Sequence, residues 1–129
     1  MSEENKTEQT LAEKLQEVLG KRDNAPTEEQ ITAFKATYGD IYIAAFDEEE
    51  IFLFRSLTRL EYRALQEQAM AGQIDAAQHE EQTVRTCLLW KSIEDLEAKA
   101  GTIPSLIEMI MQNSNFVSPQ IAAQLVAKL

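Results

Sequence analysis

His79 and Cys87 are the side chains from which nucleophilic or acid–base chemistry near neutral pH would start, and the chain has one of each. On one helix, residues 79 and 87 are separated by about 12 Å of rise, whereas a nucleophile and its base need a hydrogen bond of about 3 Å. Within a straight helix they cannot pair. His79 stands between Gln78 and Glu80 in a polar stretch and reads as a solvated histidine, while Cys87 reads as a small buried hydrophobe. A structural zinc site wants four Cys or His ligands, more than these two residues supply. The run Asp47-Glu48-Glu49-Glu50 would attract Ca²⁺ or Mg²⁺ but lacks the alternating ligands and central Gly of a calcium loop, so it reads as a solvated turn. No Gly-rich phosphate loop, GxSxG elbow or HExxH is present. The expectation is a protein that is not an enzyme, with no catalytic residues, no cofactor and no metal.

Binding chemistry is better represented. Arg55, Arg59 and Arg63 cluster where an apolar run gives way to a helix, in a chain that is otherwise acidic. They either pair within the chain, Arg63 lying one helical turn before Glu67, or form a basic notch for an acidic segment through guanidinium–carboxylate contacts. Further on, Leu106, Ile107 and Ile110 share a helical face that Met109 and Met111 widen to about 200°, against about 100° for an ordinary half-buried helix. Either that helix is central, or its Met-bearing edges hold a partner, a use that suits flexible and polarizable side chains.

With 12 Lys+Arg against 22 Asp+Glu, the net charge is −10. Such a charge repels phosphate backbones and anionic lipid headgroups, so neither nucleic acid nor membrane is an expected partner. The acids are unevenly placed: residues 1–50 carry −8, 51–100 carry −2 and 101–129 carry no net charge. Hydrophobic content of 44% is enough for one core in 129 residues. A single cysteine, the lack of a membrane-length apolar run and the acidic, polar MSEENKTEQT at the start predict a cytosolic protein.

The elements that must position these groups follow from caps and periodicity. Residues 1–9 lack an apolar period and are expected to be disordered; Leu11, Leu15, Val18 and Leu19 then recur at helical spacing up to Gly20. The polar, Pro-containing KRDNAPT reads as a linker, which divides the chain into an acidic tail with a short helix over 1–26 and a single domain over 27–129. The lone apolar stripe of the first helix needs a partner. Thr27 with Gln30, Thr58 with Glu61 and Asp75 with Gln78 form capping-box pairs, and Gly39 and Gly72 close the first two of these helices. The third is predicted to run to Trp90. Ser92 opens another helix that Gly101 stops; Pro104 and Pro119 mark the starts of the last two. Ile41–Phe46 and Ile51–Leu57, rich in β-branched and aromatic residues, predict a hairpin with an acidic tip. The fold class is α+β, mostly helical, with about six helices around one β-hairpin. Both faces of that hairpin are apolar, so one face is either covered by the chain or offered to another molecule, which predicts self-association.

The run Ile51–Arg63, with its F-x-F-R-x-L-T-R-x-E-Y-R pattern, then Cys87-Leu-Leu-Trp90, Gly101-Thr-Ile-Pro-Ser-Leu-Ile-Glu-Met-Ile-Met111 and Ser114-Asn-Phe116 resembles small proteins from the tail gene clusters of long-tailed bacteriophages, described as tail assembly chaperones or baseplate-hub assembly proteins. The likeness covers residues 30–117, and Lys91 departs from it where such proteins often have Pro. It implies a non-enzymatic assembly factor, acting in the cytoplasm of the infected host, that binds the tape-measure protein and promotes polymerisation of tail-tube protein around it. The alternative is a structural subunit of the baseplate or tail, found in the virion. Phe54, Arg55, Thr58, Arg59, Glu61 and Tyr62 carry over as motif positions. The candidate partner-binding residues are Phe54, Arg55, Arg59, Arg63, Met109, Met111 and Phe116.

Overall fold

The computed structural model describes residues 10–129; the disorder expected of residues 1–9 lies outside them. The protein is α+β and mostly helical: among the described residues, six α-helices accompany a three-stranded antiparallel sheet. The chain divides into two compact units, residues 10–55 with 88–91, and residues 56–87 with 92–129.

The first unit holds α1 (Leu11–Gly20), α2 (Glu28–Tyr38), β1 (Ile41–Ala45), β2 (Ile51–Arg55) and β3 (Leu88–Trp90). Thr10 starts α1 with a capping box to Glu13, and Thr27 starts α2 with one to Gln30, each side-chain oxygen satisfying a backbone N–H that the first turn leaves unpaired. Gly39 ends α2 at φ +83°, a conformation glycine adopts without steric cost. β1 and β2 form the expected hairpin, with Ile41 opposite Arg55 and Ala45 opposite Ile51. At its tip the Asp47 carboxylate accepts the N–H groups of Glu49 and Glu50 at 2.8 and 2.7 Å, so this acid holds the turn in shape.

The hairpin gains a strand that the sequence does not announce. The helix predicted to reach Trp90 stops at Cys87, and Leu88–Trp90 pairs antiparallel with β2, giving the order β1-β2-β3. The residues from Cys87 to Trp90 are apolar all round and carry no helical period to hold them in the helix, whereas pairing satisfies backbone groups on the second edge of β2. β2 is thus the central strand, and Ile51 through Phe54 are all buried. On one face Ile51 and Leu53 form a core with Leu19, against which Leu15, Val18, Ile31, Phe34, Ile41, Ile43, Leu89 and Trp90 pack. The stripe of α1 therefore finds its partner in the sheet. The linker helps close this core: Asn24 sits at φ +61°, and its carbonyl accepts the Trp90 indole N–H at 3.1 Å.

The second unit holds α3 (Arg59–Met70), α4 (Ala76–Cys87), a 3₁₀ turn (Ile93–Leu96), α5 (Thr102–Gln112) and α6 (Pro119–Gln124). α4 is its centre and packs against α3, α5 and the 3₁₀ turn. The capping boxes at Thr58 and Asp75 form as spaced, and Gly72, at φ +73°, closes α3. The helix expected after Ser92 is corrected to that single 3₁₀ turn. Its two apolar residues, Ile93 and Leu96, are three apart, the spacing that stacks side chains on one face of a 3₁₀ turn, and both are buried. Of Glu97 to Ala100, only Ala98 and Ala100 are apolar, and all four residues are exposed, so the segment brings no large apolar side chain to hold a longer helix in place.

Candidate functional site

His79 and Cys87 lie on α4 as the sequence implied, eight residues apart and about 12 Å of helical rise from each other. His79 is half-buried rather than solvated, and its Nε2 is enclosed without a hydrogen-bond partner among the described residues. It sits one turn before buried Thr83, whose hydroxyl donates to the His79 carbonyl at 2.8 Å; the polar neighbours Gln78 and Glu80 on either side hid that inward position. Cys87 is fully buried, as its apolar setting suggested. Among the described residues no group of three His, Cys, Asp or Glu is arranged to hold a metal ion, and no helix is long and apolar enough to cross a membrane. An open pocket of about 360 Å³ between α1 and α2, lined by Gln16, Pro26, Glu28, Thr32 and Lys35 among others, contains neither His nor Cys.

The candidate binding residues fall into two sets. In the first unit, Phe54 is buried at 2% exposure and stacks on Tyr42 with ring centroids 5.4 Å apart, so it serves the sheet and not an open surface. Arg55 places its guanidinium 4.8 Å from the centre of the Tyr38 ring at the end of α2, a cation–π contact that binds the last residue of β2 to the helix preceding β1. Since Phe52 and Phe54 are both 2% exposed in a single copy, covering that hairpin face does not require a second molecule.

The second unit brings together segments that are far apart in sequence, around residues 56–62 and 110–116. Ser56 Oγ donates to the Asn113 carbonyl at 2.9 Å, and the Leu57 N–H donates to Ser114 Oγ at 2.8 Å. Ser114 Oγ in turn donates to the Ile110 carbonyl at 2.6 Å. Just past α5 the chain turns at Asn115, φ +70°, with the Phe116 N–H returning to the Met111 carbonyl at 3.0 Å, a Schellman-type stop. This stop aims Phe116 at Tyr62 of α3, ring centroids 4.9 Å apart, and leaves it partly open to solvent. Ser114 and Tyr62 are thus the residues that make the site, and the signal for Ser114 was a hydroxyl following an apolar helix.

Around this junction the remaining candidates differ. Arg63 pairs with Glu67 at 3.7 Å across one turn, both side chains well exposed, and Arg59 is exposed at the start of α3. On α5, Leu106 and Ile110 are buried while Met109 and Met111 are half-buried at the edges of the stripe. Beyond it the chain stays open: Val117, Ile121, Leu125 and Val126 are exposed, the last two at 70% and 77%, and α6 buries none of its residues. α6 itself stops at Gln124, so Leu125 and Val126 lie beyond it.

Charge in this unit is organised by Arg85. Its guanidinium lies 2.9 Å from Glu81 and 3.1 Å from Glu94, linking α4 to the 3₁₀ turn. Donating hydrogen bonds to Glu81 and then to Glu94 raises the Arg85 pKa. Glu94 is held below the usual carboxylate range, first by a backbone hydrogen bond and then by Arg85. This is pairing at the surface.

Comparison of the chain with protein-family models, with curated proteins and with solved structures finds no match.

Proposed function

We propose that the protein is a non-enzymatic tail assembly chaperone of a long-tailed bacteriophage, which binds the tape-measure protein and promotes tail-tube assembly in the cytoplasm of the infected host. The observation that carries this reading is the open apolar run from Phe116 through Ile121, Leu125 and Val126, anchored on Tyr62 and flanked by half-buried Met109 and Met111. It belongs to a stretch, residues 101–129, with one acid and one base, whereas the rest of the chain holds 21 acids and 11 bases. A neutral, apolar surface of adaptable side chains suits a client that is itself apolar and helical, and the excess of acids elsewhere suits keeping such a client in solution. The phage-like pattern over residues 30–117 supports the same role.

The test is co-expression with each neighbouring tail gene product, followed by pull-down and an assay of partner solubility. Rescue of a tape-measure fragment, lost on substituting Phe116, Leu125 and Val126 by Ser, is the expected result. Failure to bind or solubilise that fragment refutes it. The same exposed run would also suit a permanent interface in a baseplate or tail subunit, and mass spectrometry of finished particles separates the two, since a chaperone is absent from them.

A further inference from the structure

The sheet of the first unit has two edges, and they are built differently. β3 is three residues long, its pairing with β2 shifts register between Leu53 and Phe54, and Lys91 follows it directly. Shortness, irregular pairing and an adjacent Lys are devices that keep a strand edge from recruiting another chain. β1 has none of them. Its five residues, Ile41-Tyr42-Ile43-Ala44-Ala45, run in unbroken register with β2 and include no Pro, Gly or charge.

Register shows which groups this edge offers. The Phe46 N–H donates to the Glu50 carbonyl at 2.8 Å, just beyond the ladder. Bonded and non-bonded pairs alternate in an antiparallel ladder, so Ala44–Phe52 and Tyr42–Phe54 continue the bonded series. The N–H and C=O groups of Ile41, Ile43 and Ala45 therefore point away from β2. Only β2 neighbours β1 in the sheet, and among the described residues no hydrogen bond from outside the ladder reaches those three.

The surroundings of the edge have a definite chemistry. Beside it, Tyr42 stacks on Phe54 and Phe46 meets Phe52 edge-on, and both outer rings are partly open to solvent. Asp40 precedes the strand and is exposed, while Glu48 and Glu49 are exposed just after it. We infer that the β1 edge takes an extended segment of a partner protein as a fourth strand, the segment being apolar at alternate positions and basic at its ends. Main-chain hydrogen bonds would supply affinity, the Tyr42 and Phe46 rings would receive alternate side chains, and the acids would select the ends. A second copy is the poorer occupant, because pairing β1 with β1 brings the same acids face to face. Residues 1–9, with Glu3, Glu4 and Glu8 against Lys6, carry the wrong charge as well. The inference does not depend on the tail-assembly proposal.

The test uses the full chain and two labelled peptides, Lys-Thr-Val-Thr-Val-Thr-Lys and its twin with Glu at both ends, titrated by fluorescence anisotropy. The Lys-ended peptide is expected to bind and the Glu-ended one to bind at least about tenfold more weakly, since two attractive end contacts become repulsive. In amide exchange, Ile43 and Ala45 should exchange fast in the free protein and slow down with peptide, while Tyr42 and Ala44 are slow throughout. Ala45→Pro removes an outward N–H and no ladder bond, and should abolish binding. The double change Glu48→Gln with Glu49→Gln, on exposed side chains, should weaken the Lys-ended peptide about fivefold without altering unfolding, and it decides the matter if Ala45→Pro fails to fold. No binding, equal binding of the two peptides, slow exchange of Ile43 and Ala45 in the free protein, or a dimer in sedimentation that Ala45→Pro dissolves would each overturn the inference.

Discussion

The two units of this protein are unfinished in opposite ways. In the sheet unit the central strand is covered, every residue from Ile51 to Phe54 being buried, and a run of backbone stays open along β1. In the helical unit the backbone pairs mainly within its helices, and apolar side chains stay open: Leu60, Met70, Ile121, Leu125 and Val126. The difference follows from the elements themselves. A helix closes its hydrogen bonds internally and can only expose side chains, whereas a strand buries both faces and still presents an edge. A backbone edge recognises an extended chain of nearly any sequence, and an apolar helical end recognises another apolar face. The protein thus leaves two kinds of surface open, one in each unit.

The comparison is broken most severely at the core of the sheet. Phe52→Ala should destabilise by about 3–5 kcal/mol, since it empties a fully buried aromatic site, and urea unfolding would measure it. Leu106→Ala on α5, equally buried, should cost about 2–5 kcal/mol by the same assay. Trp90→Phe keeps most of the packing but strips the indole N–H from the Asn24 carbonyl, and a loss of about 1 kcal/mol is expected. Leu125→Ser with Val126→Ser should leave stability within about 0.5 kcal/mol, because both are exposed, yet reduce client binding. A large stability loss there would show that the open end is in fact packed.

The smallest expected effect is electrostatic. Glu94 has a folded pKa below its ordinary value, so what its pairing with Arg85 contributes is present above the unfolded pKa and is lost as pH falls through the depressed folded one. The difference in urea midpoint between the parent and Glu94→Gln should therefore be small at neutral pH, begin to shrink near the ordinary glutamate value of about 4.3, and vanish below the folded pKa. A difference that instead grows on acidification would mean that Glu94 serves some other contact.

Much of the helical framework was legible because its signals are local. Thr27, Thr58, Asp75 and Ser118 each cap a backbone N–H three residues on, and Gly39 and Gly72 take the left-handed turns they were placed for. The charge pattern translated less well. Along the sequence the acids crowd the first fifty residues, yet in the fold the described part of each unit holds a net −4, because Lys91 joins the sheet unit and Glu61 to Glu108 bring nine acids to the helical one. Apolar character alone does not predict burial on α3 either: Leu65 is 7% exposed but Leu60 is 78% exposed. A 100° increment says which residues share a face but not how wide a strip of that face the neighbouring helix covers. In the site, Phe116 and Met111 were visible as apolar residues, but their junction with Tyr62 and Ser56 spans more than fifty residues of chain and has no local sign.

The helix starts at Thr27, Thr58 and Asp75, the stops at Gly39 and Gly72 and the acidic hairpin turn were determined by the sequence alone, because each is made by hydrogen bonds between residues two to five positions apart, whose partners are present whatever the rest of the chain does. Tertiary structure decided that Leu88–Trp90 leaves its helix to become a strand, that His79 turns inward, and that β1 rather than β3 keeps a clean edge. Those outcomes depend on which distant segment offers an unpaired backbone or a matching apolar face, and that choice is made only when the whole chain packs.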